Sequence, residues 1–225
     1  VVEVQSQGAD WAYQPGSAFN RRITTMGEAV MHGPARGSEH LVTKHSPDGA
    51  RVRGTLNNCG TGRTPWGTLV SGEENWFGYF HRDAQDDERS KKDQQVQALN
   101  RYGRKAGAPS RHGWESAGRA DAYARWNNGA LGASAKDDYR NEMNSFGYIV
   151  ELDPYDKTAL LRKRSALGRL GHENATFARV QANQPVVAYM GDDARGEYIY
   201  KFVSKALWNP SDANAANRLA VGDRY

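Results

Sequence analysis

The sequence predicts a mainly β protein of the sandwich or propeller type. Short runs of β-branched and aromatic residues recur at about 147–152, 158–164, 175–181, 186–190 and 197–204, with turn residues between them. The 24 glycines and 8 prolines also favour a loop-rich β fold over a helical bundle. The sequence has no strict repeat, so these features alone do not separate a sandwich from a propeller.

Length and composition limit the function classes. A chain of 225 residues is expected to form a single domain spanning 1–225. The net charge of +4 is scattered, which excludes a specific nucleic-acid tail and fits either a solvated surface or a weak attraction for anionic substrates. One cysteine excludes an intrachain disulfide framework. No apolar run approaches the ~18 residues of a membrane span.

The first half of the chain contains one predicted hairpin and one long insertion. Residues 1–20 show no period and are predicted to be irregular. The β-leaning runs 40–44 and 51–56 are joined by Pro47-Asp48-Gly49, which is typical turn chemistry. Residues 81–143 are polar and glycine-rich, and they predict a loop and helix insertion with a short helix at 117–126.

The run from Gly54 to Phe80 contains the strongest candidates for metal ligands. A predicted strand, GTLNN, ends just before Cys59, and the next strand delivers Glu73 and Glu74. A thiolate beside carboxylates at neighbouring strand ends suits a metal site, because charged ligands are tolerated where they meet a cation. Strand side chains alternate, so only one of the two glutamates can face a given site. Without further context, the lone cysteine would be interpreted as a small buried side chain.

Further candidates lie in the second half of the chain. Glu151 ends a predicted strand, His172-Glu173 precedes another, and Asp192-Asp193 occupies a glycine-flanked turn that suits either a hairpin or calcium. Each of these has an ordinary structural alternative as a turn or hydrogen-bonded residue.

Residues Gly54–Phe80 resemble the PhoX family of secreted bacterial alkaline phosphatases, whose pattern is roughly GTLNNCxxGxTPWGTxLTCEENxxxYF. Other segments resemble the family in the same order: MHGPARG (Met31–Gly37), NSFGYIVELDPYD (Asn144–Asp156), LGRLGHENATF (Leu167–Phe177) and VVAYMGDDARGEYIYKFVS (Val186–Ser204). The resemblance covers about residues 20–225. The chain departs from the family's GRFKHE at Leu170 and Gly171, and the missing lysine removes a cation from the region of the expected site.

The resemblance implies a β-propeller and the hydrolysis of small phosphomonoesters with Ca²⁺ and Fe³⁺. It implies that Cys59 binds iron and that Glu74, Glu151 and Glu173 bind or bridge the cations, with Glu73 behind Glu74. We expect Asp193 as a further metal ligand, and Arg63 and His172 as residues that orient phosphate. A non-catalytic or inactive truncated propeller module that binds calcium or a partner is the alternative.

The resemblance also sets expectations about location and completeness. Family members are exported, so we expect a periplasmic or extracellular monomer whose signal peptide is absent from this sequence. Family members are much longer and take further carboxylate ligands from beyond the position of Tyr225. We therefore expect an incomplete propeller and a fragment, with a divergent short form as the alternative.

Overall fold

The computed structural model describes residues 1–88, 93–212 and 218–225. The strands in these ranges are β1 (Val4–Gln7), β2 (Asp10–Tyr13), β3 (Glu28–His32), β4 (Arg51–Arg53), β5 (Asn58–Arg63), β6 (Leu69–Glu73), β7 (Ile149–Leu152), β8 (Leu161–Arg164), β9 (Thr176–Phe177), β10 (Pro185–Gly191), β11 (Ile199–Leu207) and β12 (Gly222–Arg224). The α-helices are α1 (Gln94–Arg101) and α2 (Asp121–Ala124). Short 3₁₀ helices cover Glu39–Leu41, Trp76–Tyr79, Ala84–Glu88, Trp114–Ser116, Glu142–Ser145 and Ser165–Leu167.

Two antiparallel meanders form the body of the fold. Strands β5, β6, β7 and β8 pair in chain order, and β9, β10, β11 and β12 do the same. Four-stranded meanders of this kind are the blades of a propeller. The β3–β4 hairpin extends the first blade, because β3 pairs in parallel with β8. The described strands do not close into a ring.

One hydrophobic core lies between the two blades. The first blade contributes Val70 and Ile149, and the second contributes Ala188, Met190 and Phe202, all of them almost fully buried. Inward side chains alternate with exposed ones along β10 and β11, as a half-buried sheet requires. This apolar seam fixes how the ends of the two blades face one another.

The strands predicted for the second half are confirmed, whereas the predicted hairpin of 40–44 with 51–56 is wrong. Residues Glu39–Leu41 form a 3₁₀ helix because the Ser38 side chain caps it by accepting from the His40 N–H. β4 pairs instead with β3. The Pro47-Asp48-Gly49 turn exists, with Gly49 at φ +65°, but it lies inside the long β3–β4 connection.

The N-terminal region and the Cys59 segment also differ from expectation. Residues 4–13 form the β1–β2 hairpin, which the aperiodic sequence gave no sign of. Cys59 lies inside β5 and not in a loop after a strand, and the connecting turn is confined to residues 64–68. In that turn the hydroxyls of Thr64 and Thr68 hydrogen-bond at 2.7 Å.

In the described residues 81–88 and 93–143 the predicted insertion is confirmed, and it packs through aromatic side chains on the segments that flank it. Trp126 lies against Phe80 and Phe146, with ring centroids 5.1 and 6.0 Å away. The only helix of two turns or more in the described part of this segment is α1, which buries Val96 and Leu99. The predicted helix at 117–126 is reduced to α2. No helix in the described residues is long and apolar enough to cross a bilayer.

Buried ion pairs tie the strands of the first blade together. Glu151 is 1% exposed, and its Oε2 accepts from Arg164 Nε at 2.6 Å. Its Oε1 accepts from Trp66 Nε1 at 2.8 Å and from Thr68 Oγ1 at 2.5 Å. The expectation that Glu151 is a metal ligand is therefore corrected: both carboxylate oxygens are already bound inside the blade.

We expect Arg164→Met to destabilise the fold by about 3–5 kcal/mol, because it leaves the Glu151 charge buried without its cation. Urea denaturation gives the free energy of unfolding. Arg162→Met is the matched control: Arg162 is only half-buried on the same strand and makes no ion pair in the described part of the chain. That change should cost less than about 0.5 kcal/mol. Equal stability of the two variants would contradict the role assigned to the Glu151–Arg164 pair.

Candidate metal centre

Cys59 and Glu74 are brought together at one end of the β5–β6 hairpin. Asn58 is the register partner of Glu73, and the Glu74 N–H donates to the Asn57 carbonyl at 3.1 Å. The pairing becomes irregular between Asn58 and Thr61. A β-bulge of this kind turns a side chain out of the regular alternation, so Cys59 can point toward the end of the hairpin.

Glycines let a third segment cross this hairpin at backbone contact. A Cβ built at Gly60 would lie 2.7 Å from the Asn174 Cβ, and one at Gly62 would lie 2.3 Å from the Ala175 carbonyl oxygen. The Gly60 N–H donates to the Glu173 carbonyl at 2.7 Å. Only residues without a Cβ permit this approach. The crossing delivers the Glu173 side chain to the end of the hairpin that carries Cys59.

The three side chains form a compact ligand set. Cys59 Sγ and one carboxylate oxygen each of Glu74 and Glu173 all lie within 4.8 Å of one another. Cys59 and Glu173 are exposed and Glu74 is half-buried, so the group is open to solvent on one side. Asn75 Nδ2 donates to Glu74 Oε1 at 2.6 Å and orients that carboxylate.

Asp193 adds a third carboxylate to the group, next to Glu173. A hydrogen bond with Asp193 and repulsion from its charge raise the pKa of Glu173. Hydrogen bonding to Glu74 and the negative charges of Glu74 and Glu173 raise the pKa of the Cys59 thiol. Crowded anionic groups of this kind lose their mutual repulsion when a cation binds. The donor set suits a mixed centre, because a thiolate favours iron and carboxylates favour calcium.

Glu73 and Glu74 face opposite sides, as strand alternation predicts. Glu73 is fully buried, its Oε1 accepting from Lys163 Nζ at 2.8 Å and its Oε2 from the Gly147 N–H at 2.9 Å. Lys163 Nζ also donates to the Ser145 carbonyl at 2.7 Å. These bonds anchor the end of β6 immediately before the ligand candidate Glu74.

The structure separates His172 and Arg63 from the cluster. His172 is fully buried, its Nε2 donates to the Gly168 carbonyl at 3.1 Å, and burial lowers its pKa to about 4. Its neutral, enclosed ring cannot reach a substrate. Arg63 lies at the opposite end of β5 from Cys59. The expectation that these two residues orient phosphate at the metal centre is therefore corrected.

One contributor to the centre was missed from the sequence. Asn75 orients Glu74 and falls within the run from Gly54 to Phe80, but an asparagine side chain gives no sign of such a role. Gly60 and Gly62 are expected from the sequence to permit close backbone approach, and Gly60 does so where Glu173 crosses. Gly171, where the family pattern has lysine, lies beside the centre: a Cβ there would be 3.4 Å from the Glu74 carbonyl oxygen. The missing lysine is thus a change close to the cluster.

Comparison with known proteins gives two matches. The family model described as alkaline phosphatase PhoX matches residues 1–224. The solved structure of Pseudomonas fluorescens PhoX in complex with vanadate, a transition state analogue, is similar at a TM-score of 0.82 and 37% sequence identity. That match covers 100% of this chain and 35% of the PhoX chain, so this chain spans about a third of its relative. Among curated proteins, none matches.

The matches confirm the fold class expected from the sequence. The chain is mainly β and superimposes along its whole length on part of a propeller-like protein, which agrees with two blades that do not close into a ring among the described strands. The family match extends over nearly every residue. The chain therefore belongs to the PhoX family of alkaline phosphatases.

Proposed function

We propose that this chain is part of a metal-dependent phosphatase that hydrolyses small phosphomonoesters at a calcium–iron centre. The observation that carries the proposal is the convergence of Cys59, Glu74 and Glu173, whose ligand atoms lie within 4.8 Å of one another. These residues come from three separate places in the sequence. The negative charges that meet at this rim repel one another, and a bound cation would relieve that repulsion.

The ligand chemistry supports a division of roles. Cys59 supplies the soft sulfur donor suited to iron. Glu74, Glu173 and Asp193 supply hard oxygen donors suited to calcium, which accepts six to eight of them. Four side chains do not complete the coordination of several ions, so water, substrate or other residues would supply the remaining ligands.

The site residues can position a phosphoester without acting as acid or base themselves. Bound calcium and iron would supply Lewis-acid stabilisation of the charge on the phosphoryl oxygens. Asn75 holds Glu74 in one orientation, and the Glu73–Lys163 pair holds the strand end behind it. The open side of the cluster leaves access for a small substrate. The relative from P. fluorescens was solved with vanadate, a transition state analogue, which supports this chemical class.

We also propose that the protein acts in the periplasm or outside the cell. The support is its membership of a family whose members are exported. Calcium is abundant in those compartments, and a single cysteine used as a metal ligand needs no disulfide partner there.

The first test is metal content. The purified native protein should contain iron and calcium, and Cys59→Ser should lose at least about 90% of its iron, since a hydroxyl is a far poorer ligand for iron than a thiolate. Inductively coupled plasma mass spectrometry measures both metals. Thr61→Ser, in the same strand, is the control and should keep its iron.

The outcomes separate the proposal from its alternative. Calcium without iron, and no turnover of p-nitrophenyl phosphate, would favour a non-catalytic module. Full iron content in Cys59→Ser would remove Cys59 from the ligand set, whatever the activity.

The second test concerns the carboxylates. Glu74→Gln and Glu173→Gln are each introduced into the native protein. Each variant should hydrolyse p-nitrophenyl phosphate at least about 100-fold more slowly, because a neutral amide replaces a charged metal ligand. Exposed Glu39 is the control, and Glu39→Gln should leave turnover within about twofold. Turnover that survives both site variants would exclude these carboxylates as ligands.

The third test concerns the glycine crossing. Gly60→Ala should weaken metal binding by at least about tenfold, because the new methyl group pushes the Glu173 segment away from Cys59. Gly16→Ala is the matched control, since a Cβ at Gly16 meets nothing within 4 Å. Competition with a metal-sensing chelator gives the affinities. Unchanged affinity in Gly60→Ala would show that the approach of Glu173 does not depend on this glycine.

A further inference from the structure

A cleft lies between the two blades at the rim opposite the metal centre. β5 begins beside the centre at Cys59 and ends at Arg63. At roughly 3.4 Å per residue, the two backbone positions are about 14 Å apart. The cleft has a volume of about 640 Å³. Arg63, Trp66 and Arg162 line it from the first blade, and Trp208 lines it from the second.

The two arginine side chains of this cleft have free hydrogen-bond donors. Both residues are paired in the sheet through their backbones, but within the described residues neither side chain makes a hydrogen bond or an ion pair. A guanidinium group carries five N–H donors and a permanent charge. Two such groups therefore face one cavity with all their donors available to a ligand or to water.

The acidic side chains of the cleft are already engaged. Asp212 forms an ion pair with Arg218. Asp153 Oδ1 accepts from the N–H of Tyr155 at 2.9 Å and from that of Asp156 at 3.3 Å. The Asp212 charge is balanced by Arg218, whereas Asp153 keeps its negative charge, because backbone N–H groups do not neutralise a carboxylate. The described lining therefore keeps an excess of one positive charge.

The wall of the cleft is rigid. Trp66 is fixed by its bond from Nε1 to the buried Glu151 and by packing against Trp208, with ring centroids 6.1 Å apart. The charge of Glu151 is balanced by Arg164 and does not compete for the free arginines. A preformed wall lowers the ordering cost of binding a ligand.

We propose that this cleft binds a small anion of the phosphate class, at a site separate from the metal centre. The lining has an excess of positive charge, and the N–H forks of the two guanidinium groups match the oxygens of a phosphate group. Both walls of the cleft are formed by described residues of this chain. The ligand is either free phosphate or a molecule that carries a terminal phosphate group.

Isothermal titration calorimetry with two probes, inorganic phosphate and phenylphosphonate, tests the site. Arg63→Gln and Arg162→Gln should each weaken binding at this site by at least about tenfold, as expected for losing charge-assisted hydrogen bonds. Arg51→Gln is the matched control, because Arg51 is exposed on β4 at the far edge of the sheet. The affinity of this variant for both probes should equal that of the native protein. Tighter binding of phenylphosphonate identifies a phosphate-bearing molecule as the ligand, and tighter binding of phosphate identifies the free ion.

Cys59→Ser distinguishes this cleft from the metal centre. Binding that persists in Cys59→Ser and is lost in Cys59→Ser/Arg162→Gln assigns the anion to the cleft. Binding that disappears in Cys59→Ser, or that is equal in the native protein and in both arginine variants, overturns the proposal. Thermal unfolding of each variant confirms that it is folded before titration.

Discussion

The arrangement depends on one close approach of backbone to backbone. Gly60 and Gly62 of β5, with Gly72 of β6, present a surface without side chains, and the segment 172–175 lies directly on it. The nearest contacts a Cβ would make there are 2.3 to 2.7 Å, so no larger residue fits without a shift. This crossing joins the two blades at one rim and puts Glu173 beside Cys59. The ligand set is thus a consequence of chain packing, and not of any local motif.

Charge is treated in opposite ways in the blade interior and at its rim. Glu73 and Glu151 are buried, and each is matched by a buried cation, Lys163 or Arg164. At the rim, Glu74, Glu173 and Asp193 lie near one another, and in the described part of the chain none of them has a side-chain cation as partner. Solvent screens these rim charges, and a bound cation would remove the repulsion that remains between them.

The sequence was sufficient for what depends on local pattern and on family motifs. It predicted the strands after residue 147, the opposite orientations of Glu73 and Glu74, and the set Cys59, Glu74 and Glu173 that the fold brings together. It failed for Glu151 and His172, because burial and partners such as Arg164 and the Gly168 carbonyl are set by tertiary packing. The hairpin at 40–56 failed for a related reason: the Ser38 cap and the pairing of β4 with β3 outweighed the β-leaning composition.

The contacts between the two blades differ in kind at the two ends of their interface. At one end Trp66 reaches from the first blade to Phe177 and Trp208 of the second, while its indole N–H stays tied to Glu151. At the other end the fastening is polar, with Cys59 and Glu74 on one blade facing Glu173 of the segment that leads into the next. An ion bound there would cross-link the two blades, and its coordination energy would stabilise their interface. Loading such a protein with metal would then be a late stage of its assembly as well as the start of its chemistry.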